Sequence, residues 1–222
     1  MKNSAAKPRR FLDDQADSIF GWVQEHMRAV GIAAAAIVVI AAGAWMYARS
    51  AQLKEQRAGE TLARAAQSAD AGNDALAQSD LEKLIRQYSG TNAARQATLI
   101  LAEVLYRQGK YQKGIDELQR LTVPASDRDL ASAVEAEIAA GYEELRKFGA
   151  AADHYKKAAE KSRFEADRQA HLASAARAAT SAGNTAEAKR IWSQLAANPQ
   201  SAIAAEARVR LGELEAQPAR RG

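Results

Sequence analysis

Four positions spaced 37 residues apart, Gly72, Gly109, Arg146 and Gly183, constrain what most of this chain can fold into. Seven residues before them stand Ala65, Ala102, Ala139 and Ala176, and five after them Ala77, Gly114, Ala151 and Ala188, small at every repeat. Four further on come Leu81, Leu118, Tyr155 and Trp192, and three beyond those Leu84, Leu121, Ala158 and Leu195. Helices that cross closely need a small side chain at the contact, and a bulky one nearby fills the groove between successive pairs. Glycine at the turn tolerates the left-handed backbone that ends one helix and starts the next. The pattern therefore predicts a helical hairpin stacked on copies of itself.

Composition agrees with an all-α fold. Alanine is abundant, and only 13 glycines and 4 prolines occur in 222 residues. Alanine loses no side-chain entropy in a helix, whereas glycine and proline interrupt one. The spacing predicts helices over 75–88, 92–108, 111–122, 127–146, 149–161, 164–181 and 185–197, then a capping helix over 201–216. Ser126-Asp127 and Asn198-Pro199-Gln200-Ser201 offer caps at two of these starts. Glu206, Arg208, Arg210, Glu213 and Glu215 supply the polar outer face that a terminal repeat needs.

No charge falls between Ala29 and Ala48, and Arg28 and Arg49 bracket the stretch. Twenty helical residues span about 30 Å, the thickness of a bilayer's hydrocarbon core. Trp22, Trp45 and Tyr47 lie where amphipathic rings favour the headgroup zone. A cleaved signal peptide fits less well, because about 28 residues precede the apolar core and no small-x-small site follows it. The expected organisation is a polar tail with a short amphipathic helix at 1–28, one transmembrane helix at 29–48, a repeat domain at 49–216 and a flexible tail at 217–222. No helix breaker intervenes between Arg49 and Ala71-Gly72, so span and first repeat helix are expected to be continuous. Lys2, Lys7, Arg9, Arg10 and Arg28 precede the span and Arg49, Lys54, Arg57 and Arg64 follow it. Such an even bias does not set orientation. The short N-terminal tail favours export of the domain behind it.

Little in the chain points to chemistry. There is no cysteine, which removes disulfides, thiolate nucleophiles and cysteine-ligated metals. The 31 basic and 27 acidic residues leave +4, interspersed along the chain, so no basic stripe marks a nucleic-acid surface. His26, His154 and His171 lack metal-ligand spacing, and His154 is expected to decorate a helix face beside Tyr155. Glu143-Glu144 point apart on a helix. No phosphate loop or nucleophile–base pair is recognisable. The expectation is a protein-binding scaffold and not an enzyme, with no cofactor, no small-molecule substrate and no nucleic acid.

The repeat resembles the tetratricopeptide repeat. First helices read Thr98-x-x-Leu101-Ala102-x-x-Leu105, Glu135-x-x-Ile138-Ala139-x-x-Tyr142 and Leu172-x-x-Ala175-Ala176-x-x-Ala179. Second helices read Gly114-x-x-x-Leu118, Ala151-x-x-x-Tyr155 and Ala188-x-x-x-Trp192, and Gln108-Gly109-Lys110-Tyr111 is the closest single match. The period is longer than the usual ~34, and the repeat from Thr61 to Tyr88 is degenerate. The resemblance implies an α-solenoid of about four helical hairpins plus a capping helix. It also implies a concave groove lined by first helices, which places Gln96, Leu99, Glu103 and Tyr106, then Ala136, Ala140 and Glu143, then Ala173, Arg177 and Thr180 on one face. Leu99 and Tyr106 would anchor a peptide there, or else pack on neighbouring helices, while Glu103, Glu143 and Arg177 set its orientation.

The whole layout is similar to the YfgM-like ancillary subunits of the bacterial Sec translocon. Phe20-Gly21-Trp22-Val23, the apolar span, Trp45-Met46-Tyr47 and Gln56-Arg57-Ala58-Gly59-Glu60-Thr61 carry that likeness. It implies a single-pass protein of the bacterial inner membrane with a cytoplasmic N-terminus and a periplasmic repeat domain. Its partners would be Sec translocon subunits and periplasmic chaperones. An envelope-assembly or cell-division coordinator, and a recruiting scaffold facing the cytoplasm, share the same architecture.

Overall fold

The computed structural model describes residues 25–198 and 201–216. Trp22, most of the expected surface helix and the expected tails fall outside them. Nine helices occur among the described residues and no strand: α1 Met27–Asp70, α2 Asp74–Gln87, α3 Asn92–Arg107, α4 Tyr111–Arg120, α5 Arg128–Glu144, α6 Phe148–Lys161, α7 Glu165–Ser181, α8 Thr185–Ala196 and α9 Ala204–Ala216. The fold is all-α, with a solenoid of tetratricopeptide type. The chain divides into two compact units, Met1–Leu53 and Lys54–Gly222.

The first unit holds one stretch of α1 long and apolar enough to cross a membrane, and none of its most apolar window is buried. Ile32, Ile37, Val38, Val39, Ile40 and Trp45 are each between 66% and 73% exposed. Apolar surface left bare on this scale calls for another phase or a partner to cover it.

In the second unit the repeat positions do what their sizes predict. Ala65, Ala102, Ala139 and Ala176 are all wholly buried, as are Ala77, Ala151 and Ala188. Leu81, Leu118 and Trp192 fill the adjacent grooves, while Tyr155 is half-buried. Three contiguous cores result. One joins Ala65 and Ala69 to Leu81, Leu84, Leu101 and Leu105. The second centres on Ile115, Leu118, Val134 and Ile138, and the third on Ala176, Ile191, Trp192 and Leu195.

Each turn closes in the same way. Gly72, Gly109 and Gly183 have φ of 73°, 72° and 77°, and Arg146, at the glycine-less turn, has φ 58°. The residue after each donates its N–H five residues back: Asn73 to Ser68, Lys110 to Leu105, Lys147 to Tyr142 and Asn184 to Ala179, at 2.8–3.0 Å. This is the Schellman closure, which satisfies carbonyls that the helix end leaves open. All four copies are 37 residues apart.

Side chains cap what the turns leave. Thr91, Asp127 and Asn184 accept from the N–H groups of Ala94, Leu130 and Glu187 at 3.1–3.2 Å. Glu55 of α1 reaches across to accept from Asn92 and Ala93 N–H at 3.0 and 2.9 Å, placing a carboxylate on the positive end of α3. Arg128 donates to the carbonyls of Glu160, Lys161 and Ser162, closing the C-terminal end of α6. Three boundaries differ from expectation by two residues or more. α5 closes at Glu144, and the left-handed turn at Arg146 follows. α4 stops at Arg120 because Leu121 is extended, with ψ 121°, and the β-branched pair Thr122-Val123 leads into Pro124. α9 starts at Ala204, after Ser201 Oγ has accepted from Ile203 N–H at 3.2 Å.

Candidate functional site

The first helices of the hairpins, α3, α5 and α7, carry the expected binding face. Gln96, Glu103, Arg177 and Thr180 are exposed on it, Leu99, Tyr106, Ala136, Ala140 and Glu143 are half-buried, and Ala173 is buried. Leu99 and Tyr106 pack against the second core, beside Ala102 and Ile115. The Tyr106 hydroxyl donates to the Glu137 carbonyl of α5 at 3.0 Å. Glu143 accepts from the Tyr155 hydroxyl at 2.9 Å. Arg177 donates to Glu206 of α9 at 2.9 Å and to Ser174 at 3.0 Å.

Charges across this face influence one another. Burial, and then the Glu103 carboxylate, push the Glu137 carboxyl above its ordinary range. Tyr106 is pushed up by burial and then by Glu137 and Tyr142. Tyr155 is raised by burial first, then by the charge of Glu143 and its hydrogen bond. Glu137 and Tyr155 thus belong to the same electrostatic group as Glu103, Glu143 and Arg177. The sequence gives no notice of Glu137, since its repeat counterparts are Ile100 and Ser174. Tyr155 occupies a packing position, and only its hydroxyl reaches this face. The group is acidic toward α3 and α5, with a single arginine on α7.

His154 is engaged more closely than a decorated helix face would require. Its Nδ1 lies 2.7 Å from Glu135 Oε2, and its ring lies tilted against Tyr142 at 5.3 Å between centroids. Lys161 bonds the other Glu135 oxygen. Burial alone would raise Glu135, but the hydrogen bonds from Lys161 and His154 outweigh it and hold the carboxyl low. The trio clamps α5 to α6.

The chain matches the family model of the tetratricopeptide repeat-like domain over residues 21–170. A search of curated proteins finds no match. Solved structures share the fold. A tetratricopeptide repeat protein from Parabacteroides merdae matches at TM-score 0.55 and 17% identity, over 72% of this chain and 60% of that one. This chain therefore spans less than two thirds of that protein's length. A putative kinesin light chain with nearly identical TPR-like repeats, from Podosopora anserina, matches at TM-score 0.57 and 16% identity, over 72% of this chain and 85% of that one.

Proposed function

Because the chain belongs to the tetratricopeptide repeat-like domain family, we propose that it is a membrane-anchored scaffold that binds protein partners on the α3–α5–α7 face. The observation that carries this reading is that Gln96, Glu103, Arg177 and Thr180 stand exposed beside half-buried Ala136 and Ala140. Small residues flanked by charged ones make a shallow trough for a peptide, with polar groups to orient it. Anchoring through residues 29–48 is supported by the bare apolar side chains of α1. The family match also begins at residue 21, so it takes in that stretch together with the repeats.

On this reading the protein sits in a bacterial inner membrane with its N-terminus in the cytoplasm and its repeats in the periplasm. There it links the Sec translocon to periplasmic chaperones and assists export. Leu99, Tyr106 and Glu143 frame the trough, and Gln96, Glu103 and Arg177 contact the ligand.

In-cell photocrosslinking from position 103 or 177, compared with the opposite-face position 157, tests this directly. Recovery of translocon subunits or periplasmic chaperones from the trough positions alone is the expected result. Cross-links to cell-wall synthesis proteins would replace export with envelope assembly. Equal yields from all three positions would remove the trough. A periplasm-active phosphatase fused after Gly222 must be active; a fluorescent cytoplasm-only reporter there in its place would overturn the export reading.

A further inference from the structure

A concavity lies where the loops that join successive hairpins meet, at the N-terminal end of α3. Ile85, Ala94, Leu121 and Pro124 give it apolar walls, Arg95, Arg120 and Glu117 line it as well, and its volume is about 380 Å³. Arg120 is 71% exposed and already paired with Glu117 at 3.2 Å. Arg95 is different. It is partly buried, makes no ion pair with a described carboxylate, and donates to the Gly90 carbonyl and the Asn92 side chain. Its Nε–H is the one buried side-chain polar atom among the described residues without a hydrogen-bond partner.

A guanidinium has five N–H donors in a fixed fork, and Arg95 spends two of them on neutral oxygens. Cations withdrawn from water are ordinarily paired, and an orphan buried donor carries the full cost of its lost hydration. Glu117 does not supply the missing charge, because it serves Arg120. Lys54, whose Nζ donates to the Ser89 carbonyl at 2.8 Å, adds a further cation at the rim. Arg95 therefore lacks an anion of its own, and the cavity has an apolar wall beside it.

We propose that this cavity takes an acidic side chain of a partner protein, presented beside an aliphatic one on an extended segment, with the carboxylate settling on Arg95. The inference rests on the protein-binding reading above and adds a contact point outside the trough. Turning the Nε edge of the guanidinium onto the carboxylate exchanges its bonds to the loop for a bidentate pair. Side chains two residues apart on an extended strand point the same way, about 6.6 Å apart. The cube root of the cavity volume is about 7 Å, so one such pair fits.

The test uses the full chain and the blocked peptide acetyl-photoleucine-Ala-Glu-amide, with the Gln peptide as control. Illumination is expected to label Ile85, Ala94, Leu121 or Pro124. The yield should fall about tenfold with the Gln peptide or with Arg95→Gln, the loss of one charge-assisted pair. The Gln peptide on the unaltered chain keeps the result independent of how Arg95→Gln folds. Equal yields from the Glu and Gln peptides would overturn the proposal. Labelling confined to the surroundings of Glu103 and Arg177 would also overturn it, while leaving the scaffold reading in place.

Discussion

The ring of Tyr106 occupies the space that a side chain at Gly141 would need. A Cβ at that glycine would lie 2.7 Å from Tyr106 Cζ and equally close to Ile115 Cγ1, and one at Gly114 would lie 2.5 Å from Tyr106 Cε1. One aromatic side chain therefore explains two glycines, on α4 and α5. Where its repeat counterpart is Glu143, the counterpart of Gly114 is an alanine, Ala151. Gly141→Ala is expected to destabilise by about 1–2 kcal/mol, because overpacking outweighs the better helix propensity of alanine. In a Tyr106→Leu background the same change should cost less, with the contact to Ile115 Cγ1 left as the remaining strain. Denaturant unfolding of the four chains reads the coupling directly.

Ala102 and Ala139 are wholly buried at hairpin contacts. Leucine at either is expected to cost about 1–3 kcal/mol by forcing the paired helices apart. An unchanged melting temperature would mean that the small-position register is misplaced.

The four turns allow a comparison within one molecule. Gly109→Ala should cost about 1–2 kcal/mol, the strain of a Cβ in left-handed backbone. Arg146→Gly should do the reverse and stabilise, by less than about 1 kcal/mol. Part of that gain is offset because the Arg146 guanidinium rests over the Phe148 ring at 5.0 Å. Melting temperatures moving the same way for both would contradict the shared turn geometry.

Glu187 carries the acid sensitivity of the fourth hairpin. Hydrogen bonds from Arg190, set against burial and joined by Lys156, hold its carboxyl at about 2 against an ordinary 4.5. Its folded value lies below its unfolded one. The stabilisation is therefore present above about 4.5 and lost as pH falls through about 2. Glu187→Gln should lower the melting temperature most at neutral pH, and the gap to the parent chain should close toward pH 2. A gap independent of pH would show that packing, not charge, is responsible.

Period and residue size together reveal the hairpins, because a contact that recurs leaves a mark that recurs. The alanines at 65, 102, 139 and 176 and the four turns could be read for that reason. The lock between Tyr106 and Gly141 could not, since it is made once and its counterparts are Glu143 and Ala178. Glu137 likewise occurs once, with Ile100 and Ser174 as its counterparts. Helix register places Leu99 and Tyr106 on the first-helix face, but register does not say how far a large side chain bends toward its own core. α4 ends two residues before the pattern predicts, because Leu121 suits a helix and the constraint comes from the Val123-Pro124 step after it.

The helices from α3 onward pack within their own hairpin or against the adjacent one, so duplication of a 37-residue unit is a feasible route by which such a chain gains length. The junction that Tyr106 closes is selective about what enters it. A copy of the third hairpin placed there brings its own Gly141 and is accommodated. A copy of the fourth brings Ala178 to the same spot and meets the tyrosine ring. Lineages that lengthened this array should therefore show units directly behind position 106 that carry glycine where Gly141 stands, or a smaller side chain at position 106 where the newcomer brings the alanine of Ala178.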